Sequence, residues 1–349
     1  LIVCQTGKYG YIIYNMNFEV TAVNVLLLVA MAIPGYILIK VKAVKQTAIA
    51  PFAKVLLYVN QPFLTLNSFL RVSYQPSLLK NLGIAVAFSF GVQLLLLIVL
   101  CLIYRKWFNK KMPKKAEGFL QTNVDSFRAI PETQVMKGKA MRVLTTCSVF
   151  GNVGFLGIPV LNVLMPNVPE AVAYAAVFIV AMNFLCWTVG AFVLTGDRKY
   201  ISVKKAILNP PTLTLVVALP LFFLNVQLPE PALNLINLLA QMTTPMCMII
   251  LGMRFASAPF KELFIHPSVY VAALTKILVF PLLTYAIVYF LPIDYSVKVT
   301  LFILSAMPCA SVNLNLSEIY GGDSKTAANT ILLSTLLCVV SIPLLLLMV

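Results

Sequence analysis

Two runs of helix-breaking and polar residues interrupt otherwise apolar stretches of this sequence. They are Phe150-Gly-Asn-Val-Gly-Phe-Leu-Gly-Ile-Pro159 and Ser305-Ala-Met-Pro-Cys-Ala-Ser-Val-Asn313. Water cannot rescue backbone groups inside lipid, so such runs must line a cavity or be buried in protein. Paired broken helices of this kind build the substrate sites of transporters. The chemistry they offer is hydrogen bonding and helix-end charge. Half-helix N-termini carry partial positive charge and free N–H groups, which suit a carboxylate.

Asn152, flanked by Gly151 and Val153, supplies a donor and an acceptor at the first break. It either caps the resumed helix alone or contacts a ligand as well. Pro308 lacks an N–H and ends the half-helix before the second break, next to Cys309. Asn313 and Asn315 follow on different faces of the resumed helix, and Asn313 is the one favoured to face a cavity. Gln61 and Thr244, with their neighbours Asn60 and Thr243, precede matching prolines in two other apolar segments. They either present polar groups to the same cavity or hold helices together by hydrogen bonds. Gly154 and Pro159 complete a structural crossover with Pro308.

Ionisable groups are scarce within the apolar segments. No Asp or Glu lies near the middle of any of them; Glu19, Glu318 and Asp323 sit near ends. A midplane sodium site or proton relay ordinarily needs a carboxylate, so cation coupling is disfavoured. Lys54 lies near one end of its segment and can snorkel. Lys276 is deeper, and it either draws an anion inward, pairs with a carbonyl, or snorkels. His266, just before Pro267, is assigned no role. The seven cysteines form no CxxC pair and no Cys/His cluster, so neither zinc nor a disulfide framework is indicated, and no cofactor is expected.

The chain has 349 residues, 60% hydrophobic and 11% charged, against about 25% charged in an ordinary soluble domain. This is the composition of an all-α polytopic membrane protein. At about 20 apolar residues per span, ten segments qualify: 19–39, 48–70, 80–104, 140–165, 170–194, 209–226, 231–253, 267–291, 297–318 and 325–348. Residues 1–15 read as an N-terminal arm upstream of a natural start at Met16. Residues 105–139 form a basic loop, and 195–208 a linker.

Alternate loops differ sharply in charge. Twenty of the 26 Lys and Arg fall in one set, including ten between Arg105 and Arg142, and four in the other set with the N-terminal arm. Lys/Arg-rich loops stay cytoplasmic, which puts both termini outside the cell and orients the chain in the plasma membrane. The net charge of +15 thus marks the inner membrane surface, not nucleic acid. The halves also repeat: Pro62 matches Pro245 and Arg71 matches Arg254, both at an offset of 183 residues. Five spans per repeat, 16–104 with 140–194 and then 209–349, make the second copy enter upside down, an inverted repeat. Each break then lies about ten residues into its span, roughly 16 Å deep from opposite faces, where two unwound segments can cross.

Several motifs together resemble the auxin efflux carrier family, bacterial permease branch. Asn152-Val-Gly-Phe-Leu-Gly-Ile-Pro159 is similar to a plant run with Asn seven residues before Pro. Asn209-Pro-Pro-Thr212, Leu251-Gly-Met-Arg254, Met307-Pro308 with Glu318-Ile-Tyr-Gly-Gly-Asp323, and Ile33-Pro-Gly-Tyr36 with Lys40 also resemble members. Gly151 stands where the plant crossover usually has Pro. The resemblance implies a ten-helix fold of the bile-acid/sodium symporter type. Spans 1, 2, 6 and 7 would form a scaffold that pairs as a homodimer, and spans 3–5 and 8–10 a moving transport unit. It implies Asn152 as substrate asparagine, Pro308 as the second crossover proline, and an elevator-like cycle. The resulting expectation is a non-enzymatic secondary transporter of a small organic anion, malate-like or auxin-like. The alternatives are a sodium- or proton-coupled symporter and a transporter-like sensor or anchor.

Overall fold

Prolines and glycines divide the long apolar runs into helices whose ends fall at defined places. The computed structural model describes residues 31–72, 74–110, 132–257 and 267–348, together with Val23, Leu26, Leu27 and Ala30. The N-terminal arm 1–15, Met16, residues 111–131 of the basic loop, and His266 lie outside the described residues. Among the described residues every regular element is helical. The extended pairing found among them is an isolated antiparallel bridge between Gly151 and Cys309.

In chain order the helices are α1 (Ile33–Lys40), α2 (Ile49–Val55), α3 (Gln61–Leu70), α4 (Pro76–Lys110) and α5 (Glu132–Val149). Then come α6 (Ile158–Leu164), α7 (Glu170–Leu185), α8 (Ala191–Thr195), α9 (Val203–Ile207) and α10 (Pro210–Phe223). The second half holds α11 (Glu230–Gln241), α12 (Thr243–Ser257), α13 (Pro267–Leu274), α14 (Phe280–Phe290), α15 (Tyr295–Ser305), α16 (Val312–Tyr320) and α17 (Ser324–Leu346). Among the described residues six helical stretches are long and apolar enough to cross a membrane. They are Pro76–Trp107, Glu170–Thr195, Arg198–Phe223, Glu230–Ser257, Pro267–Phe290 and Ser324–Leu346. The expected spans 140–165 and 297–318 are each cut in two, leaving Val153–Leu164 and Tyr295–Ser305 as shorter apolar helices beside the cuts.

Prolines also explain three irregular turns. Wide π-type turns at Leu56–Asn60, Val153–Gly157 and Thr275–Val279 each lead into a helix whose second residue is proline: Pro62, Pro159 and Pro281. A proline inside a helix removes one N–H and its ring collides with the carbonyl four residues back, so the backbone widens around it. The carbonyl that Pro159 displaces is Phe155 O, and the Cys247 thiol of α12 donates to it at 2.6 Å. That carbonyl therefore keeps a partner although it leaves the helix ladder.

Packing sorts these helices into two groups. In one, α1 lies along α12, while α3 packs on α10 and α11. The first of these contacts is a backbone contact. A Cβ at Gly252 would fall 1.8 Å from Ala32 O, and one at Gly35 would fall 2.0 Å from Ile249 O. Small residues at such a crossing let helix backbones touch, which is how helices associate where lipid is as apolar as their side chains. In the other group α4 packs on α7 and α5, α13 on α17, and α14 on α15. Both cuts lie inside this second group.

Candidate functional site

The two interrupted spans meet at their breaks. α5 stops at Val149, and α15 stops at Ser305. Between these ends and the resumed helices the chains run antiparallel, with Asn152 N–H donating to Pro308 O at 2.7 Å and Ala310 N–H donating to Phe150 O at 2.8 Å. Each break thus supplies the hydrogen bonds that the other's lost helix turn cannot make, which satisfies buried backbone without water.

Side chains fasten the remaining groups. The Cys309 N–H donates to Ser334 Oγ of α17 at 3.0 Å. Asn313 is wholly buried, and its Nδ2 donates to Phe150 O at 3.2 Å and Ala310 O at 3.0 Å. Asn313 therefore clamps the two breaks together, and its Oδ1 stays buried without a partner. Asn315 is exposed, on another face of α16. The Ser334 contact yields a direct expectation. Ser334→Ala leaves the buried Cys309 N–H unpaired at a cost of about 1–3 kcal/mol, read as a melting temperature a few degrees lower. An unchanged melting temperature would contradict this assignment.

Asn152 is half-buried at the start of the turn Val153–Gly157. Its backbone carbonyl accepts from Leu156 N–H at 3.1 Å and Gly157 N–H at 3.0 Å, while its side chain caps no N–H of the resumed helix. The cross-break pairs leave aside the N–H groups of Gly154 and Phe155 in the first turn of that helix. Val153 and Gly154 are buried beside them, and Pro159 is buried one turn on.

Three residues of the first helix group reach the broken runs: Cys247 through Phe155 O, Gln61 and Arg254. The Gln61 amide presses on the first: a Cβ at Gly154 would lie 2.0 Å from Gln61 Nε2. Arg254, half-buried near the end of α12, donates from Nη1 to Ser311 Oγ at 2.5 Å, at the N-terminal end of α16. Reading the sequence missed Arg254, because its place near the end of a span suggested only a cytoplasmic anchor. The 183-residue match to Arg71 was the available signal. Thr244 is not at the breaks. It lines a cavity of about 330 Å³ with Asn67, Ser68, Arg71, Asn162 and Gln241. Asn60 and Thr243 turn towards each other instead, the Thr243 hydroxyl donating to Asn60 O at 3.4 Å.

Lys276 is 0% exposed, so it does not snorkel. Its Nζ donates to Ser305 O at 2.6 Å and lies 4.3 Å from the centroid of the Phe280 ring. The side chain runs against the first break as well, since a Cβ at Gly151 would lie 2.8 Å from Lys276 Cε. Lys54 is exposed on α2. Among the described residues the ion pair found is Lys199 with Asp197 at 2.9 Å, on the exposed linker. Among them too, no three His, Cys, Asp or Glu side chains group as metal ligands, and the six described cysteines are free.

The breaks and their surroundings fall inside a family match. The membrane transport protein family matches residues 135–205 and 198–346 of this chain. An uncharacterized transporter of Methanocaldococcus jannaschii is 27% identical over 211 residues, which make up 57% of this chain and 66% of that relative. The match therefore spans just under two thirds of the relative's length. With its apolar helices and its matched breaks, the chain is a multi-pass membrane protein and belongs to the membrane transport protein family, that of the auxin efflux carriers.

Proposed function

We propose that this chain is a secondary transporter of a small organic anion, a mono- or dicarboxylate, bound at the paired breaks beside Asn152. The observation that carries this reading is the Asn152 amide. It sits half-buried at a crossing of two unwound segments, caps nothing, and adjoins the Gly154 and Phe155 N–H groups. An amide and a helix N-terminus together offer a carboxylate several donors.

The wider architecture in this reading is ten spans in two inverted repeats, with both termini outside the plasma membrane. Two features support it. Asn60 and Thr243 are 183 residues apart, the same offset as the matching prolines, and they touch. Residues equivalent under an inverted repeat meet where its pseudo-two-fold axis passes. The second feature is an inequality between matched residues. Arg254 holds the second break through Ser311, whereas Arg71 opens onto the 330 Å³ cavity and bonds only within its own helix group, to Asn237 Oδ1 at 2.5 Å. Matched arginines in unlike settings are what an alternating-access carrier has when caught on one side of its cycle. The first helix group then acts as scaffold and the second as the moving unit.

An anion leaving the cell gains about 2.3 kcal/mol per charge per 100 mV of inside-negative potential, so no coupling ion is required for export. The test is counterflow of labelled malate and of labelled indole-3-acetate in proteoliposomes. The expectation is saturable flux of at least one of them, faster when the potential drives the anion out of the loaded compartment. Flux indistinguishable from protein-free liposomes for a panel of such carboxylates would reject the substrate class. Flux that needs a sodium or proton gradient would favour a coupled symporter instead.

A further inference from the structure

The last carbonyls of α15 are each taken. Phe302 O and Ile303 O accept from Ala306 N–H, and Leu304 O accepts from Met307 N–H. Ser305 O accepts from Lys276 Nζ at 2.6 Å, so a side chain from another span completes the set. The carbonyl end of a helix carries the negative pole of its dipole. In the middle of a bilayer that pole has no water to screen it, and a cation placed there is stabilising.

The groups that the Lys276 head touches are electron-rich or neutral. It meets the Ser305 carbonyl, the face of Phe280, and the backbone at Gly151. Among the described residues no carboxylate pairs with it. The side chain is delivered by the turn Thr275–Val279, which Pro281 imposes, and it touches both breaks at once. A dissociable monovalent cation at this position would need the same carbonyl and the same space.

We infer that Lys276 is a tethered cation that takes the place a dissociable coupling ion would need at the crossing, and that this carrier therefore works without sodium. The inference builds on reading the breaks as the transport site, but it concerns a cation and is tested without any anion. Lys276 is a positioning residue here: it neutralises the α15 end and fixes the break against Gly151. Removing the ammonium group converts the crossing into an open cation site.

The experiment measures thermal unfolding of the full purified chain in detergent, with no organic anion present. Sodium, ammonium, ethylammonium and N-methylglucamine chlorides are compared at equal ionic strength. For the parent, the melting temperature should be the same in all four. Lys276→Ala should melt lower and regain stability in ethylammonium or ammonium, but not in N-methylglucamine, which is too large for the vacated space. Lys276→Met keeps the length and removes the charge, and should melt below the parent in every salt. Three results would overturn the inference: a parent stabilised specifically by sodium, a Lys276→Met variant as stable as the parent, or a Lys276→Ala variant that no small cation restores. If Lys276→Ala cannot be purified, the parent and Lys276→Met arms decide. Failure here with anion binding intact would remove the tethered cation alone. Success here with no carboxylate bound would remove the proposed substrate and leave the cation.

Discussion

Valine in place of Gly252 is expected to lower the melting temperature of the chain by about 4 °C, the consequence of roughly 3 kcal/mol of overpacking in a chain of 349 residues. The reason lies in the contact of α12 with α1. A Cβ at position 252 would stand 1.8 Å from Ala32 O, 2.8 Å from Ala32 C and 2.8 Å from Tyr36 N. All three are backbone atoms, so no side-chain rotation relieves the clash, and the helices must separate. Separation also opens the small cluster of Ile39, Met253 and Ala256 packed by Val44, Ala48, Ile49 and Ile249. By contrast Gly83 and Gly91 on α4 have open space where a Cβ would stand. Gly91→Val, at an exposed position, is therefore the matched control and should change the melting temperature little. Equal behaviour of the two variants would mean that the close crossing of α1 and α12 does not hold these helices together.

Asn152→Ala should have the opposite profile, with stability kept and binding lost. The amide caps no N–H of the helix it precedes, so truncating it strands no partner there and leaves the cross-break pairs, which are backbone, in place. A hydrogen bond to a charged group is worth about 1.5–3 kcal/mol. Carboxylate affinity should accordingly fall about tenfold to a hundredfold at nearly constant melting temperature. Asn313→Ala should separate from it in the other direction. Asn313 Nδ2 holds Phe150 O and Ala310 O inside the protein, so its loss should be felt first in stability. Titration of malate and indole-3-acetate against the three proteins, followed by their melting curves, tests both. An Asn152→Ala variant that binds like the parent would contradict the role given to the amide.

Much of the site was legible because lipid makes the rules strict. Three glycines, an asparagine and a proline in an apolar run have few permitted outcomes, and Gly151–Asn152 and Pro308–Cys309 lie in the two gaps, between Val149 and Val153 and between Ser305 and Val312. What spacing could not show was how the breaks serve one another. The exchange between Asn152 and Pro308 and between Phe150 and Ala310 is a matter of three-dimensional register, which a one-dimensional pattern does not contain. Side-chain reach was equally hidden. A lysine nine residues into a span can snorkel or turn inward, and only the position of Ser305 O decides for Lys276. Asn313 was favoured for a cavity, whereas burial on both sides makes it a clamp. Thr244 and Gln61, alike in sequence position, part company because one lines the Arg71 cavity and the other presses on Gly154. Arg254, marked in the sequence only by its match to Arg71 and by its place in the Leu251-Gly-Met-Arg254 motif, contacts Ser311 at the second break.

The proposed place of the substrate, a small carboxylate, is at the paired breaks. Its most direct test is the structure of the chain with a bromine-labelled dicarboxylate, located by the anomalous scattering of bromine. The bromine is expected beside the first break, with a carboxylate oxygen within hydrogen-bond reach of Asn152 Nδ2 and of the Gly154 or Phe155 N–H. A bromine found only in the cavity lined by Arg71, Asn162 and Thr244, or on no ordered site at saturating ligand, would contradict it.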